Sequence, residues 1–343
     1  MITFIICFAL LVVAYFVYGR YLERLVGAEA GKPVPSQTHF DGVDYMPLPK
    51  WKTFLIQLLN IAGLGPIFGA VLGALYGPVA FIWITAGGIL FGAMHDFLGG
   101  WISLENDGQS LPEIIGKYLG SGVKQVMRLF TVCLMVLVGA VFLLGPAGLL
   151  AGMTPSISLQ WWIAIILIYY ILATLLPVDK IIGRIYPLFG AALMFMALGL
   201  LGVLITGDYS IPELTSLHNF KADAEDFPIV PTLFITIACG AISGFHATQS
   251  PMMARCLTDQ KQCRPVFFGA MITESLIALI WAAIAMAFFG GVEALGTALA
   301  EHGNNASWAV KLIADTTLGR VGGILAVLGV IAAPITSGDT ACR

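Results

Sequence analysis

Long apolar runs separated by short polar connections fill the chain from end to end. A bilayer core about 30 Å thick takes roughly 20 residues of helix. That length test predicts spans over residues 2–18, 53–76, 79–104, 128–152, 161–177, 181–206, 231–254, 265–290 and 319–340. Two shorter amphipathic stretches, 111–120 and 309–319, interrupt the series at matching points. The first run has no basic leader or small-residue cleavage site, so it reads as a retained helix rather than a signal peptide.

Composition turns this pattern into a statement about solvent. Hydrophobic residues make up 58% and charged residues 11%, against about 25% charged in an ordinary globular domain. Most of the surface is therefore built for lipid, and the fold class is an all-α polytopic membrane protein. With a net charge of −3, no basic run is dense enough to hold a nucleic-acid backbone or an anionic membrane surface, which excludes a nucleic-acid partner. The six cysteines, with no CxxC pair, read as small core thiols rather than a disulfide or zinc framework. Tryptophans at 51, 83, 101, 161, 162, 281 and 308 mostly fall near predicted interfaces and read as anchors.

Charge also orients the spans. Arg20, Arg24, Lys32, Lys50 and Lys52 share one connection; Lys117, Lys124 and Arg128, then Lys180 with Arg184, then Arg255, Lys261 and Arg264 occupy later ones on the same side. The opposite connections are short or acidic, with Asp208, Glu213, Asp223, Glu225 and Asp226 in 207–230. The positive-inside rule makes the basic set cytoplasmic and places the N-terminus outside. The stretch 290–319, with Lys311 against Glu293, Glu301 and Asp315, is the least decisive.

Two spans carry breaks. Gly63, Gly65 and Pro66 fall about eleven residues into the second span, roughly 16 Å deep at 1.5 Å per residue and so near the midplane. Proline removes a backbone donor and glycine lowers the cost of leaving the helix. Gly65, Gly69, Gly73 and Gly77 also form a small-residue stripe, so a kink with close packing is the competing interpretation. The seventh span breaks at a similar depth, around Gly240 to Gly244. Each broken span is followed by a long span, an amphipathic stretch and another span. Five spans separate the two starts, so the second unit is inverted relative to the first. The predicted architecture is an inverted-repeat, LeuT-like transporter core with two discontinuous helices. Residues 1–52 form an extra helix and cytoplasmic loop, 53–206 the first five-helix repeat, 207–230 an extracellular loop, and 231–343 an incomplete second repeat of three helices.

Several motifs carry a family likeness: Lys50 to Lys52 (KWK), Asn60 to Gly69 (NIAGLGPIFG), Met94 to Phe97 (MHDF), Gly108 to Glu113 (GQSLPE) and Ser337 to Thr340 (SGDT). Over essentially its whole length the chain resembles the carbon starvation protein A family, most of all its shorter bacterial branch. The resemblance implies membership among the amino acid, polyamine and organocation transporters and uptake of peptides or pyruvate during nutrient limitation. It also implies a multi-pass protein of the bacterial inner membrane. The sequence departs from the family by ending at Arg343, where a complete second repeat needs two further helices, so a piece of a longer transporter is expected.

Intramembrane charges are costly and mark function by default. Glu274, about ten residues into the eighth span beside Thr273 and Ser275, is the leading candidate for a coupling proton carrier. Counted along the third span, His95 and Asp96 lie in the cytoplasmic third, as a gate or proton-release site or as a structural pair. Asp339, near the cytoplasmic end of the ninth span, reads as a gate residue that Arg343 could pair with. Thr336 and Ser337 occupy the position from which related transporters direct hydroxyls at sodium, here with carbonyls near Asn60; hydroxyls bonding their own helix are the alternative. The substrate candidates converge from both breaks: Asn60, Gly63, Gly65, Ser243, Gly244, His246, Thr248 and Gln249. Freed N–H groups and His246 suit a carboxylate, although a core histidine bonded to a carbonyl is equally compatible.

The function expected is a secondary active transporter importing a small peptide or pyruvate-like carboxylate, coupled to protons or sodium, with no cofactor, no bound structural metal and lipid as its surroundings. A nutrient sensor on the same scaffold and a passive channel are the alternatives. No HExxH, GxSxG or paired intramembrane aspartates at a common depth support an enzyme. Substrate, coupling ion and oligomeric state stay open at this level.

Overall fold

A computed structural model of the protein describes residues 1–154, 156–175, 182–238 and 246–341. Its elements are helical: α1 (Ile2–Phe16), α2 (Tyr18–Leu25), α3 (Lys50–Ala62), α4 (Gly65–Tyr76), α5 (Val79–Glu105), α6 (Leu111–Leu119), α7 (Ser121–Met153), α8 (Leu159–Thr174), α9 (Ile182–Thr206), α10 (His246–Ala254), α11 (Gln260–Phe288), α12 (Val292–Glu301), α13 (Ala306–Thr317) and α14 (Gly319–Ala341). Among the described residues, six helices are long and apolar enough to cross a membrane, and a bent pair, α3 with α4, makes a seventh. Large apolar side chains such as Ile5, Leu10, Val13, Leu129, Val136, Leu137 and Ile168 lie exposed along α1, α7 and α8. A lipid solvent accounts for these faces, since burying them would be favourable in water.

Packing sorts the helices into a centre and a periphery. Of its best apolar window, α11 buries 83% of residues and α7 only 11%, so α11 is the pillar of the bundle. It packs against α3, α4, α1 and α5, while α14 and α9 pack on each other and on α3. The core of α11 is small and smooth from Ile277 to Ala287, interrupted by Trp281, which is fully buried. That corrects the interfacial assignment of Trp281; Trp101 is also buried, whereas Trp51 and Trp161 are exposed as anchors should be.

The predicted break of the second span is present. The axes of α3 and α4 meet at 58°, and the joint is Gly63, with φ 48° and ψ −138°, backbone that side-chain-bearing residues avoid. The small-residue stripe is used as well. A side chain at Gly69 would lie 2.7 Å from the carbonyl oxygen of Thr236, so α4 approaches the seventh-span segment as closely as backbone allows. The second predicted break, with Ser243 and Gly244, lies outside the described residues.

Three boundaries differ from expectation. Helix α7 starts at Ser121 rather than 128, because Lys124 and Arg128 both engage Glu113 of α6 and stabilise an extra polar turn. The stretch 290–319 is not a plain loop with one amphipathic segment, since α12 precedes α13. Within α5, residues Gly88–Ala93 form a π-helical turn, which changes the register of everything after it.

Candidate functional site: a buried carboxylate–imidazole cluster at the helix break

His246, on helix α10, is fully buried. On one side, its Nδ1 lies 3.5 Å from Oδ1 of Asp96 on α5. On the other, its Nε2 lies 3.8 Å from Oε2 of Glu274 on α11 and 3.1 Å from the carbonyl oxygen of Ile61. That carbonyl sits two residues before Gly63, where the end of α3 is left without the next helical turn. His95 adds a fourth group, with Nδ1 3.5 Å from the same Asp96 oxygen. Asp96, His246 and Glu274 are inaccessible to solvent, whereas the His95 side chain is 34% exposed.

These separations are charge contacts longer than well-formed hydrogen bonds. Two carboxylates against one central imidazole cannot all be ionised in an apolar interior without large cost, so protons must be shared within the cluster. Three different helices hold it, so its geometry depends on how α5, α10 and α11 sit against one another.

Counting residues along a straight α5 puts Asp96 nearer the cytoplasmic face than Glu274. The structure instead brings both onto the same imidazole. The π-helical turn at Gly88–Ala93 lies directly before this motif and alters both rise and facing direction. His95 and Asp96 are thus not a cluster separate from the substrate candidate His246.

Other predicted residues divide between this neighbourhood and its flanks. Asn60, also fully buried, is the neighbour of Ile61, and neither polar atom of its side chain has a hydrogen-bond partner among the described residues. Gly63 forms the joint, and Gly65 begins α4 after it. Gln249 is buried and donates to the Thr248 hydroxyl at 3.1 Å, while Thr248 reaches the Met135 sulfur of α7 at 3.6 Å, away from the imidazole.

On α14, the Thr336 hydroxyl donates to the carbonyl of Ala333 at 2.8 Å, the local bond expected of a helix hydroxyl. Ser337 does more, lying 2.9 Å from both the Ala333 and the Leu59 carbonyls. It therefore ties α14 to the terminal turn of α3. Asp339 accepts a hydrogen bond from Tyr186 of α9, a buried partner that sequence reasoning missed; Arg343 lies outside the described residues. Also missed was Gln57, one turn before Asn60, which is buried and reaches Ser250 of α10 at 3.4 Å. An amide one turn before Asn60 in an otherwise apolar span was the available signal.

Asp96, His246 and Glu274 have no solvent-accessible surface. Cavities of about 980 Å³ and about 890 Å³ open among the acidic and basic connections respectively, and neither is lined by Asn60, Asp96, His246 or Glu274. The buried cluster at the helix break thus has a cavity at either end of the bundle.

Comparison with known proteins agrees. The sequence model of the family described as carbon starvation protein CstA matches residues 1–159 and 151–320. An uncharacterized membrane protein of Haemophilus influenzae is 42% identical over 349 residues, covering 87% of this chain and 94% of that protein. The peptide transporter CstA of Bacillus subtilis is 27% identical over 331 residues, and the pyruvate/proton symporter BtsT of Escherichia coli 28% over 333. The chain spans about half the length of these two transporters, 55% and 46%. On the strength of the family match along most of its length, the chain belongs to the carbon starvation protein CstA family.

Proposed function

We propose that this chain forms the core of a proton-coupled secondary transporter for a small organic carboxylate or short peptide, in which Asp96, His246 and Glu274 hold the coupling proton beside the substrate. The observation that carries this reading is His246 wedged between two buried carboxylates and the carbonyl of Ile61 at the helix break. A proton moving among these groups changes the charge next to the joint, and the joint is where two half-helices can rearrange.

Asn60, Gly63, Gly65, His246, Thr248 and Gln249 are the proposed substrate contacts, together with Ser243 and Gly244. The backbone N–H groups at the start of α4 suit a carboxylate, and the names of the relatives, peptide transporter and pyruvate/proton symporter, support that class. The inverted repeat, with α3 and α4 opening one unit and the segment leading to α10 opening the other, completes the proposed architecture. So does insertion in a bacterial inner membrane with the basic connections cytoplasmic.

Sodium coupling is the second reading, favoured by one contact. Ser337 links α14 to the Leu59 carbonyl, and with Thr336 and Asn60 it could surround a cation.

The test is uptake of labelled pyruvate and of a labelled dipeptide into proteoliposomes under imposed proton or sodium gradients. Accumulation driven by the proton gradient supports the proposal. Accumulation driven by sodium alone transfers it to the second reading, and saturable binding without uptake replaces it with a sensor.

A further inference from the structure

The 890 Å³ cavity at the basic end of the bundle shares no lining residue with the cluster. Five basic side chains line it, Arg20, Arg24, Lys50, Lys261 and Arg264, against the acids Glu23, Glu29 and Asp259. Every one of these acids is already engaged. Glu23 pairs with Arg264 at 3.0 Å, Glu29 with Lys32 at 3.3 Å, and Asp259 accepts the backbone N–H groups of Gly31 and Lys261. Among the described residues, Arg20, Arg24, Lys50 and Lys261 have no ion pair, so four cations converge on one concave surface.

The cavity sits where helices leave the bilayer. Tyr15 ends α1, Arg20 and Arg24 lie on α2, Lys50 starts α3, and Lys261 and Arg264 start α11. Directly beneath it, towards the apolar interior, runs a groove of about 300 Å³ between α1, α3 and α11. Its walls include Val12, Phe16, Phe54, Ile272 and Leu276, and Tyr15 and Pro265 line both the groove and the cavity. The basic cavity and the apolar groove thus share a wall, Tyr15 and Pro265, where α1 meets the start of α11.

We infer that this composite site binds an anionic phospholipid, with the phosphate headgroup among Arg20, Arg24, Lys50 and Lys261 and one acyl chain in the groove between α1 and α11. The two halves match the two halves of such a molecule. Phosphate is the anion that clustered guanidinium and ammonium groups recognise, and basic pockets between membrane helices are built for such headgroups. A soluble anion would have no use for the apolar extension. The site clamps α1 and α2 to the first turn of α11, the helix that carries Glu274.

Native mass spectrometry of the detergent-purified chain with phosphatidylglycerol, phosphatidylcholine and glycerol 3-phosphate tests this. Phosphatidylglycerol adducts are expected to outlast phosphatidylcholine adducts. Each basic group near an anionic headgroup is worth about fivefold, so Arg20→Ala/Arg24→Ala/Lys50→Ala should weaken phosphatidylglycerol binding roughly 100-fold. These side chains are at the surface, so the variant should stay folded, and its circular dichroism melt verifies that. Leu276→Trp, which fills the groove, should weaken the lipid while leaving glycerol 3-phosphate unchanged. Equal retention of both lipids by the wild type, or undiminished phosphatidylglycerol binding by the triple variant, overturns the inference. So does glycerol 3-phosphate competing as well as the lipid with Leu276→Trp having no effect, which would make the cavity a soluble-anion site.

Discussion

His246 and Glu274 face each other at 3.8 Å from Nε2 to Oε2, both wholly buried, on helices that meet only in the folded bundle. Glu274 has no hydrogen-bond partner among the described residues, so the imidazole is its nearest means of exchanging a proton. Glu274→Gln keeps shape and polarity but cannot release a proton. Under the proposed mechanism this variant abolishes accumulation driven by a proton gradient and retains exchange of labelled for unlabelled substrate. Counterflow and gradient-driven uptake measured on the same vesicles separate the two, and full gradient-driven uptake by the variant would remove Glu274 from the mechanism.

Asp96 serves two imidazoles at once, at 3.5 Å to His246 and 3.5 Å to His95. Taking away one member of a buried charged set leaves the others uncompensated, which costs about 3–5 kcal/mol. Asp96→Ala is therefore expected to lower the melting temperature in detergent as well as transport, and Asp96→Asn, which can still hydrogen-bond, to recover much of the stability but no coupling. A melting temperature unchanged in Asp96→Ala would show that the contact is not structural.

Gly63 tests the break directly. Its φ of 48° with ψ of −138° costs a side-chain-bearing residue about 1–3 kcal/mol, and an added Cβ would lie 2.8 Å from the Phe142 ring. Gly63→Ala should destabilise the protein and impair transport. Adding Phe142→Leu to make room should restore part of the stability, because the steric component is relieved and the backbone component is not. Full recovery in the double variant would mean that the backbone at the joint is unstrained.

Much of this arrangement is legible in the sequence. The apolar runs give the helices, and Gly63 with Pro66 gives the break, because span length and backbone chemistry are local properties. Glu274 stands out because a carboxylate in an apolar run is costly wherever the helix packs. That Asp96 joins it is not legible, since residue counting assumes a straight helix and α5 contains a π-helical turn. Trp281 shows the same limit. Its residue type suggested an interface, but α11 is the central helix and Trp281 is fully buried within the bundle. Tyr186 escaped notice because its importance comes from Asp339, distant in sequence and opposite it in space.

The loop that follows α9 also holds the first helix, and this contact responds to acid. Glu213 lies at the N-terminus of α1, accepting hydrogen bonds from the Met1 ammonium, the Ile2 and Thr3 backbone N–H groups and the Thr3 hydroxyl. The ammonium first, then Thr3, hold its carboxyl down at about 2, below the ordinary 4.5. Because the folded value is the lower one, the contact stabilises the protein above about pH 4.5 and is lost as pH falls towards 2. The pair is exposed and screened, so its contribution is about 1 kcal/mol or less. Melting temperatures of wild type and Glu213→Gln should differ at pH 7, draw together below about pH 4.5 and converge only as pH falls to about 2, and a constant difference would show that ionisation of Glu213 is irrelevant.

Ser337 decides between the two coupling ions. Its hydroxyl lies 2.9 Å from the Leu59 carbonyl and the same distance from its own helix at Ala333. As a helix tie alone it is worth about 1 kcal/mol, the net value of one buried hydrogen bond. As a cation ligand its loss would act on ion affinity, since a hydroxyl oxygen contributes directly to a sodium shell. Under proton coupling, Ser337→Ala lowers the melting temperature slightly, leaves the proton dependence of uptake unchanged, and shows no response to sodium before or after substitution. Sodium-dependent uptake in the wild type that weakens sharply in Ser337→Ala would move the coupling site from the cluster around His246 to the junction of α3 and α14. The Thr336→Val control separates the two further, because it removes a hydroxyl that donates to Ala333 of its own helix, and a change in sodium dependence is expected from it only if that hydroxyl ligates a cation.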